Sequence, residues 1–174
     1  MNLAPIARTN GPRTEQIIVF RISTQAFVVS SASVQEVRAV DSIAGLAFEV
    51  PQTRVGKVRH AFKRGDRTIY IVNGALHFGL PLSSASLVFM LRRTRTALLI
   101  DGIERMSTMS SLQGLSNAFH HDERSWYRGL TVLDQAVVPV INPDGFLTHE
   151  ELITLDTSIL NTSAPAMAAE AQLS

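Results

Sequence analysis

Shifting this chain by 69 residues (Val19 onto Val88) lays one apolar pattern on another without a gap. Val19, Phe20 and Ile22 fall on Val88, Phe89 and Leu91, and Val34 and Val37 fall on Ile103 and Met106. The same shift places Ile69-Tyr70-Ile71-Val72-Asn73 on Val138-Pro139-Val140-Ile141-Asn142. The period exceeds the ~20–50 residues of solenoid repeats. It reads as a duplicated β unit, two copies of a small barrel or sheet, rather than an enzyme built around one cleft. Apolar positions recur in any β protein, so coincidental strand spacing is the competing explanation.

A chain of 174 residues can bury one ordinary core or two small ones. Its 45% hydrophobic and 18% charged residues place it with ordered globular proteins. Cysteine is absent, which excludes disulfides, thiol nucleophiles and cysteine-ligated zinc and fits a reducing compartment, with the cytoplasm as the default. No run approaches the ~20 apolar residues of a membrane span, and the start of the chain lacks a signal-peptide stretch. Direct membrane insertion is therefore not expected. The net charge of +1 demands no acidic partner, but 14 of the 16 basic residues are arginine, which suits fixed bidentate contacts.

Along the chain, residues 1–14 lack periodic apolar spacing and are expected to form a flexible arm, with order beginning near Glu15. Gln16–Ile22 and Ala26–Val29 flank the turn Ser23-Thr24-Gln25 as a hairpin. Ser33–Arg38 alternates apolar and polar, so Val34 and Glu36 are expected on one face of a strand and Gln35 and Val37 on the other. Residues 41–66 are irregular and increasingly basic, Thr68–Val72 is a strand, and Leu76–Pro81 a short helical turn. Leu87–Leu91 and Ala97–Ile100 make a second hairpin ending at Asp101-Gly102, and Ile103–Met106 continues the sheet. Ser107–Arg124 reads as a polar connection, and Leu130–Leu133 and Val137–Ile141 are the last strands. Thr148 and Glu151 have capping-box spacing, so a short C-terminal helix follows. Residues 15–157 are then the folded domain and 158–174 a flexible tail.

No catalytic pattern accompanies these elements. The serines lack a glycine-flanked elbow with a His/Asp arrangement, and no phosphate-cradling glycine loop is present. His120-His121-Asp122-Glu123 offers four potential ligands, but sequence neighbours in a loop seldom converge on one ion, so it reads as a solvated connection with no metal and no cofactor. The segment Arg54–Arg67 concentrates six basic residues against Asp66. Nucleic-acid binding through that loop is the alternative function, although Phe62 is a single aromatic where stacking surfaces use several.

The sequence is similar to a known family on specific residues. Val19-Phe20-Arg21-Ile22, Val34-Gln35-Glu36-Val37-Arg38, Arg64-Gly65 before Ile69–Asn73, His77-Phe78-Gly79, Leu99-Ile100-Asp101-Gly102-Ile103, and Gly129-Leu130 before Val138–Ile141 occur in an order that resembles the CheW-like coupling proteins of bacterial chemotaxis. The resemblance spans roughly Glu15 to Leu155. It implies an all-β fold of two small five-stranded SH3-like barrels packed together. It also implies a non-catalytic adaptor between the cytoplasmic tip of a chemoreceptor and the regulatory domain of a CheA-type histidine kinase, cytoplasmic and recruited to receptor arrays, with no nucleic acid.

By the same resemblance, partner contacts fall on Val34, Glu36, Arg38, Arg64, Gly65 and Asn73, with Arg64 standing for the arginine of the family's N-L-R-G motif. A Glu36–Arg64 ion pair across the groove would add only about 0–1 kcal/mol and would act by shaping the surface. The chain departs from the family where Phe62 and Lys63 replace the asparagine and leucine of that motif. Asn73 replaces the aspartate that ends the P-I-V-D strand, removing charge assistance from any contact there. A longer, more basic connection between Pro51 and Arg64 points to a changed receptor class.

Overall fold

A computed structural model describes residues 14–119 and 121–163 of the protein. It contains β1 (Glu15–Ile22), β2 (Gln25–Ser30), β3 (Val34–Ala39), α1 (Val40–Ala44), β4 (Phe48–Glu49), β5 (Val58–Arg64) and β6 (Arg67–Asn73). There follow α2 (Gly74–Phe78), β7 (Leu87–Leu91), β8 (Thr96–Ile100), β9 (Gly102–Met109), α3 (His121–Arg124), β10 (Tyr127–Leu133), β11 (Ala136–Ile141) and α4 (His149–Ser163). The strands make a five-stranded sheet, β10-β11-β2-β1-β9, and a six-stranded one, β3-β7-β8-β6-β5-β4.

The two sheets do not coincide with the two halves of the sequence. The β1–β2 hairpin of the first half lies in a sheet with β9, β10 and β11, whereas the β7–β8 hairpin of the second half lies with β3 to β6. Each half therefore lends its hairpin to the other. Under the 69-residue shift the parallel pair Ile71↔Ala97 becomes Val140↔Val28, which is the observed register of β11 on β2. The β3–β7 pairing slips by two residues relative to β9–β1: Val37 lies opposite Phe89, but Met106 lies opposite Ile18. A slip of two leaves every side chain on its original face.

Burial follows the same symmetry. One large cluster holds residues of both sheets, and the shift maps Phe20, Ile22, Val29 and Val72 onto Phe89, Leu91, Leu98 and Ile141 within it. Val19, Val28, Ile69 and Ile71 map onto Val88, Ala97, Val138 and Val140, exchanging the two smaller clusters that belong to single sheets. Matched residues also touch: Phe20 meets Phe89 edge-on with ring centroids 5.1 Å apart, and His77 meets Phe146 at 4.9 Å. A pseudo-dyad thus runs through the shared core, and the coincidental-spacing explanation fails.

Several boundaries differ from the sequence expectation. Residues 41–66 are not irregular throughout: β5 is a full strand there, with Val58, Ala61 and Phe62 buried among exposed basic residues. Its apolar signal was diluted by arginine and lysine. With the two-residue β4 the second sheet has six strands rather than five. The five-stranded sheet is drawn together by one bridge, Gln113↔Leu130, just past β9. Gly129 (φ +157) lies beside it, and a Cβ there would run into the Gln113 carbonyl oxygen.

Helix α4 continues through Ser163, so the tail drawn from residue 158 begins inside a helix. The expected capping box is present: the Thr148 amide donates to Glu151 Oε2 at 2.9 Å and the Glu151 amide to Thr148 Oγ1 at 3.1 Å. Leu152, Leu155 and Ile159, spaced for one helical face, pack on the shared core. Asp156 anchors the same helix by accepting from both terminal nitrogens of Arg95 (2.8 and 2.5 Å) and from the Tyr70 hydroxyl. The Arg95 guanidinium holds the Asp156 carboxyl below the usual range, and burial, reinforced by Asp156, pushes the Tyr70 phenol up. The expected arm lies outside the described residues apart from Thr14, as does the tail beyond Ser163.

Candidate partner-binding surface

Among the described residues β3 is an edge strand with a ladder only to β7, and a bulge between Val34 and Glu36 sets its two ends differently. Val34 lies opposite Leu91 and is 8% exposed in the shared core, whereas Glu36 lies opposite Met90 and is exposed. The two do not share a face as simple alternation requires. Val34 thus supports the strand from beneath, while Glu36, Val37 and Arg38 present the surface. Val37 is 38% exposed despite facing the shared-core side opposite Phe89.

The expected Glu36–Arg64 pair is not formed. Glu36 Oε1 lies 3.7 Å from Arg38 Nε, and Arg64 Nη1 donates to Gln35 Oε1 at 3.3 Å. Both contacts are exposed and weak, so the charges on this edge remain available. Arg64 still reaches β3, one residue from the expected partner. Gly65 opens the two-residue β5–β6 turn with φ +60, a conformation that suits glycine. Its nearby space is empty, so its place reflects backbone rather than packing.

Asn73 serves the fold. Its Oδ1 accepts from the Leu76 amide at 3.1 Å and caps α2. Its repeat mate Asn142 does the same for the 3-10 turn Pro143–Gly145, accepting from the Asp144 amide at 3.3 Å. An amide at the end of each final strand is thus explained by the helical turn that follows. The sites missed by sequence reasoning are Gln35, Arg67 and Arg93, which gather with Arg64 around a hollow at the end of the six-stranded sheet. The arginine-rich turn Arg92–Arg95 was the available signal, but only the fold places it beside the β5–β6 turn.

The perturbed titratable groups lie at seams of the fold. Burial, with Lys57 nearby, pushes the His77 imidazole down to about 3, and among the described residues neither nitrogen has a hydrogen-bond partner beside the rings of Phe78, Trp126 and Phe146. Burial pushes the Tyr127 phenol up to about 12. No metal-ligating cluster occurs among the described residues; His120 and the His121 side chain lie outside them. Among the described residues no helix is long and apolar enough to cross a membrane. The Arg54–Arg67 segment is largely strand, its Phe62 is buried, and Lys57 is paired with Glu151 at 3.0 Å, so it offers no stacking face of the kind single-strand binders use.

The fold and these surfaces define a two-sheet β domain, internally duplicated, with β3 at an edge of the six-stranded sheet. The chain belongs to the CheW-like domain family, whose model matches residues 16–151. Its fold is similar to the crystal structure of scaffolding protein TtCheW from Thermoanaerobacter tengcongensis, with a TM-score of 0.66 at 14% identity, covering 84% of this chain and 96% of that one. No curated protein matches the sequence.

Proposed function

We propose that this protein is a non-catalytic adaptor that couples chemoreceptors to the regulatory domain of a CheA-type histidine kinase in chemotaxis or related motility signalling. The observation that carries this reading is the CheW-like match across residues 16–151, on a chain whose fold resembles that of a scaffolding protein. The exposed edge of β3 supports it, because Glu36, Val37 and Arg38 form a mixed apolar and charged rim of the kind found at transient interfaces. Glu36, Arg38, Arg64 and Gly65 form the contact surface, with Val34 and Asn73 holding it in place. The adaptor works in the cytoplasm, recruited to receptor arrays. Its lengthened basic segment before Arg64 adapts it to a different receptor class.

The test is co-purification of tagged wild type and Glu36→Arg from native lysate, with bound proteins identified by mass spectrometry. Wild type should recover a histidine kinase with a CheW-like domain, and the folded variant should lose it. Recovery of nucleic acid, or of no kinase, would overturn the adaptor reading.

A further inference from the structure

At one end of the six-stranded sheet, three arginines line a hollow of about 290 Å³ that has no carboxylate in its lining. Arg64 closes β5, Arg67 opens β6, and Arg93 comes from the β7–β8 turn; Gln35 and the buried Met90 and Leu91 are among the other residues of the walls. No ion pair within 4.0 Å joins any of the three to a carboxylate among the described residues, although Asp66 sits in the turn between two of them.

This arrangement is locally unfavourable. Arg64 lies directly opposite Arg67, and like charges in that position repel. Arg93 holds φ at +63, the left-handed turn conformation also taken by Ser23, Asp134 and Gln135 in the other hairpin turns, and it brings this arginine to the hollow. Its neighbours in the same turn are spent on the fold: Arg92 donates to the carbonyls of Ala32 and Val34, and Arg95 grips Asp156. A bound anion would relieve the like-charge repulsion that the free protein carries at this concave surface.

We propose that this hollow is a carboxylate receptor, taking a glutamate or aspartate side chain presented by a protein partner. The assignment rests on the adaptor reading for the identity of that partner. A guanidinium fork matches a carboxylate bidentately, and a hollow of this size admits a side chain rather than a nucleic-acid strand, for which the buried Phe62 offers no stacking face. Arg67 and Arg93 supply the charge, and Arg64 is steered by Gln35.

The experiment is a side-chain NMR titration of the full chain, following arginine Nε–H signals, with an acetylated tetraglutamate peptide and its tetraglutamine counterpart. Tetraglutamate should shift the Arg67 and Arg93 signals, with affinity falling about tenfold between about 0.05 and 0.5 M salt, and tetraglutamine should leave them unmoved. The folded double variant Arg67→Gln/Arg93→Gln should bind at least about tenfold more weakly, the loss of a charge-assisted contact. Equal shifts from both peptides, or a variant that binds like wild type, would overturn the proposal. A phosphoserine peptide binding far more tightly than tetraglutamate would replace carboxylate by phosphate. If the kinase is captured equally by wild type and double variant, the hollow is not the partner contact and the adaptor reading stands. If tetraglutamate binds but no kinase is captured, the adaptor reading falls and the carboxylate site remains.

Discussion

Strands β3 and β9 occupy matching places beside β7 and β1, yet one edge is free and the other is tied down. Past β9 the chain bridges to β10 through Gln113 and Leu130, and Arg105 pairs with Asp134 in the β10–β11 turn. Outside β3 no strand is added among the described residues. The shift carries Gln35-Glu36-Val37-Arg38 onto Glu104-Arg105-Met106-Ser107, so the acidic Glu36 meets a basic counterpart while the exposed Val37 meets the exposed Met106. Buried Val34 of β3 also answers to the exposed Ile103 of β9, so the two strands differ in burial as well as in charge. An edge left open invites pairing with another chain unless charge protects it, and β3 carries both charge and the apolar Val37.

The seam between the halves should fail first. Phe89→Ala removes a fully buried ring that touches its repeat mate Phe20, and should cost about 3–5 kcal/mol in denaturant unfolding. Phe20→Ala should cost a similar amount, and a much smaller loss at either position would show that the two halves are not packed as equivalents.

His77 sharpens the comparison because its mate is Phe146. The imidazole titrates near 6.5 when unfolded and at about 3 when folded, so the unfolded chain binds the extra proton between those values. Stability is therefore complete above about pH 6.5 and falls as pH drops, by about 1.4 kcal/mol per unit. Glu15 and Asp156, held low by Arg128 and Arg95, add their losses only in the carboxylate range. His77→Phe should flatten the stability profile between pH 6.5 and 4.5, measured by urea unfolding at each pH.

The paired caps give a finer test. Asn73→Ala should cost about 1 kcal/mol by removing one acceptor. Asn142→Ala should cost more, because Asn142 also donates from Nδ2 to the Ser125 carbonyl at 2.9 Å. Equal losses would mean that this extra bond contributes nothing. Smallest of all, Glu36→Arg should change stability by no more than about 0.5 kcal/mol, since its contact with Arg38 is exposed and 3.7 Å long. That near-neutrality allows the variant to report on binding.

Much of this was legible in the chain. The strands of both hairpins and the capping box at Thr148 and Glu151 follow from local periodicity and spacing, which act over a few residues, and the repeat shows as those patterns recurring at one offset. Strand β5 was not legible, because Arg59, His60, Lys63 and Arg64 surround its three buried residues and hide the alternation. Of the residues expected to meet a partner, Glu36, Arg38, Arg64 and Gly65 lie at the surface, while Val34 is core and Asn73 is a cap.

By itself the sequence determined that the chain is β-rich and without thiol chemistry and offered a 69-residue repeat, because side-chain period and composition are written in the chain. Only the tertiary structure decided that each half gives its hairpin to the other, that Arg64 reaches Gln35 instead of Glu36, and that Arg67 and Arg93 share one hollow. Two hairpins with equivalent apolar faces satisfy the same local rules in either sheet. The choice between them is made by long-range pairing and by the fit of Phe20 against Phe89, which no local pattern encodes.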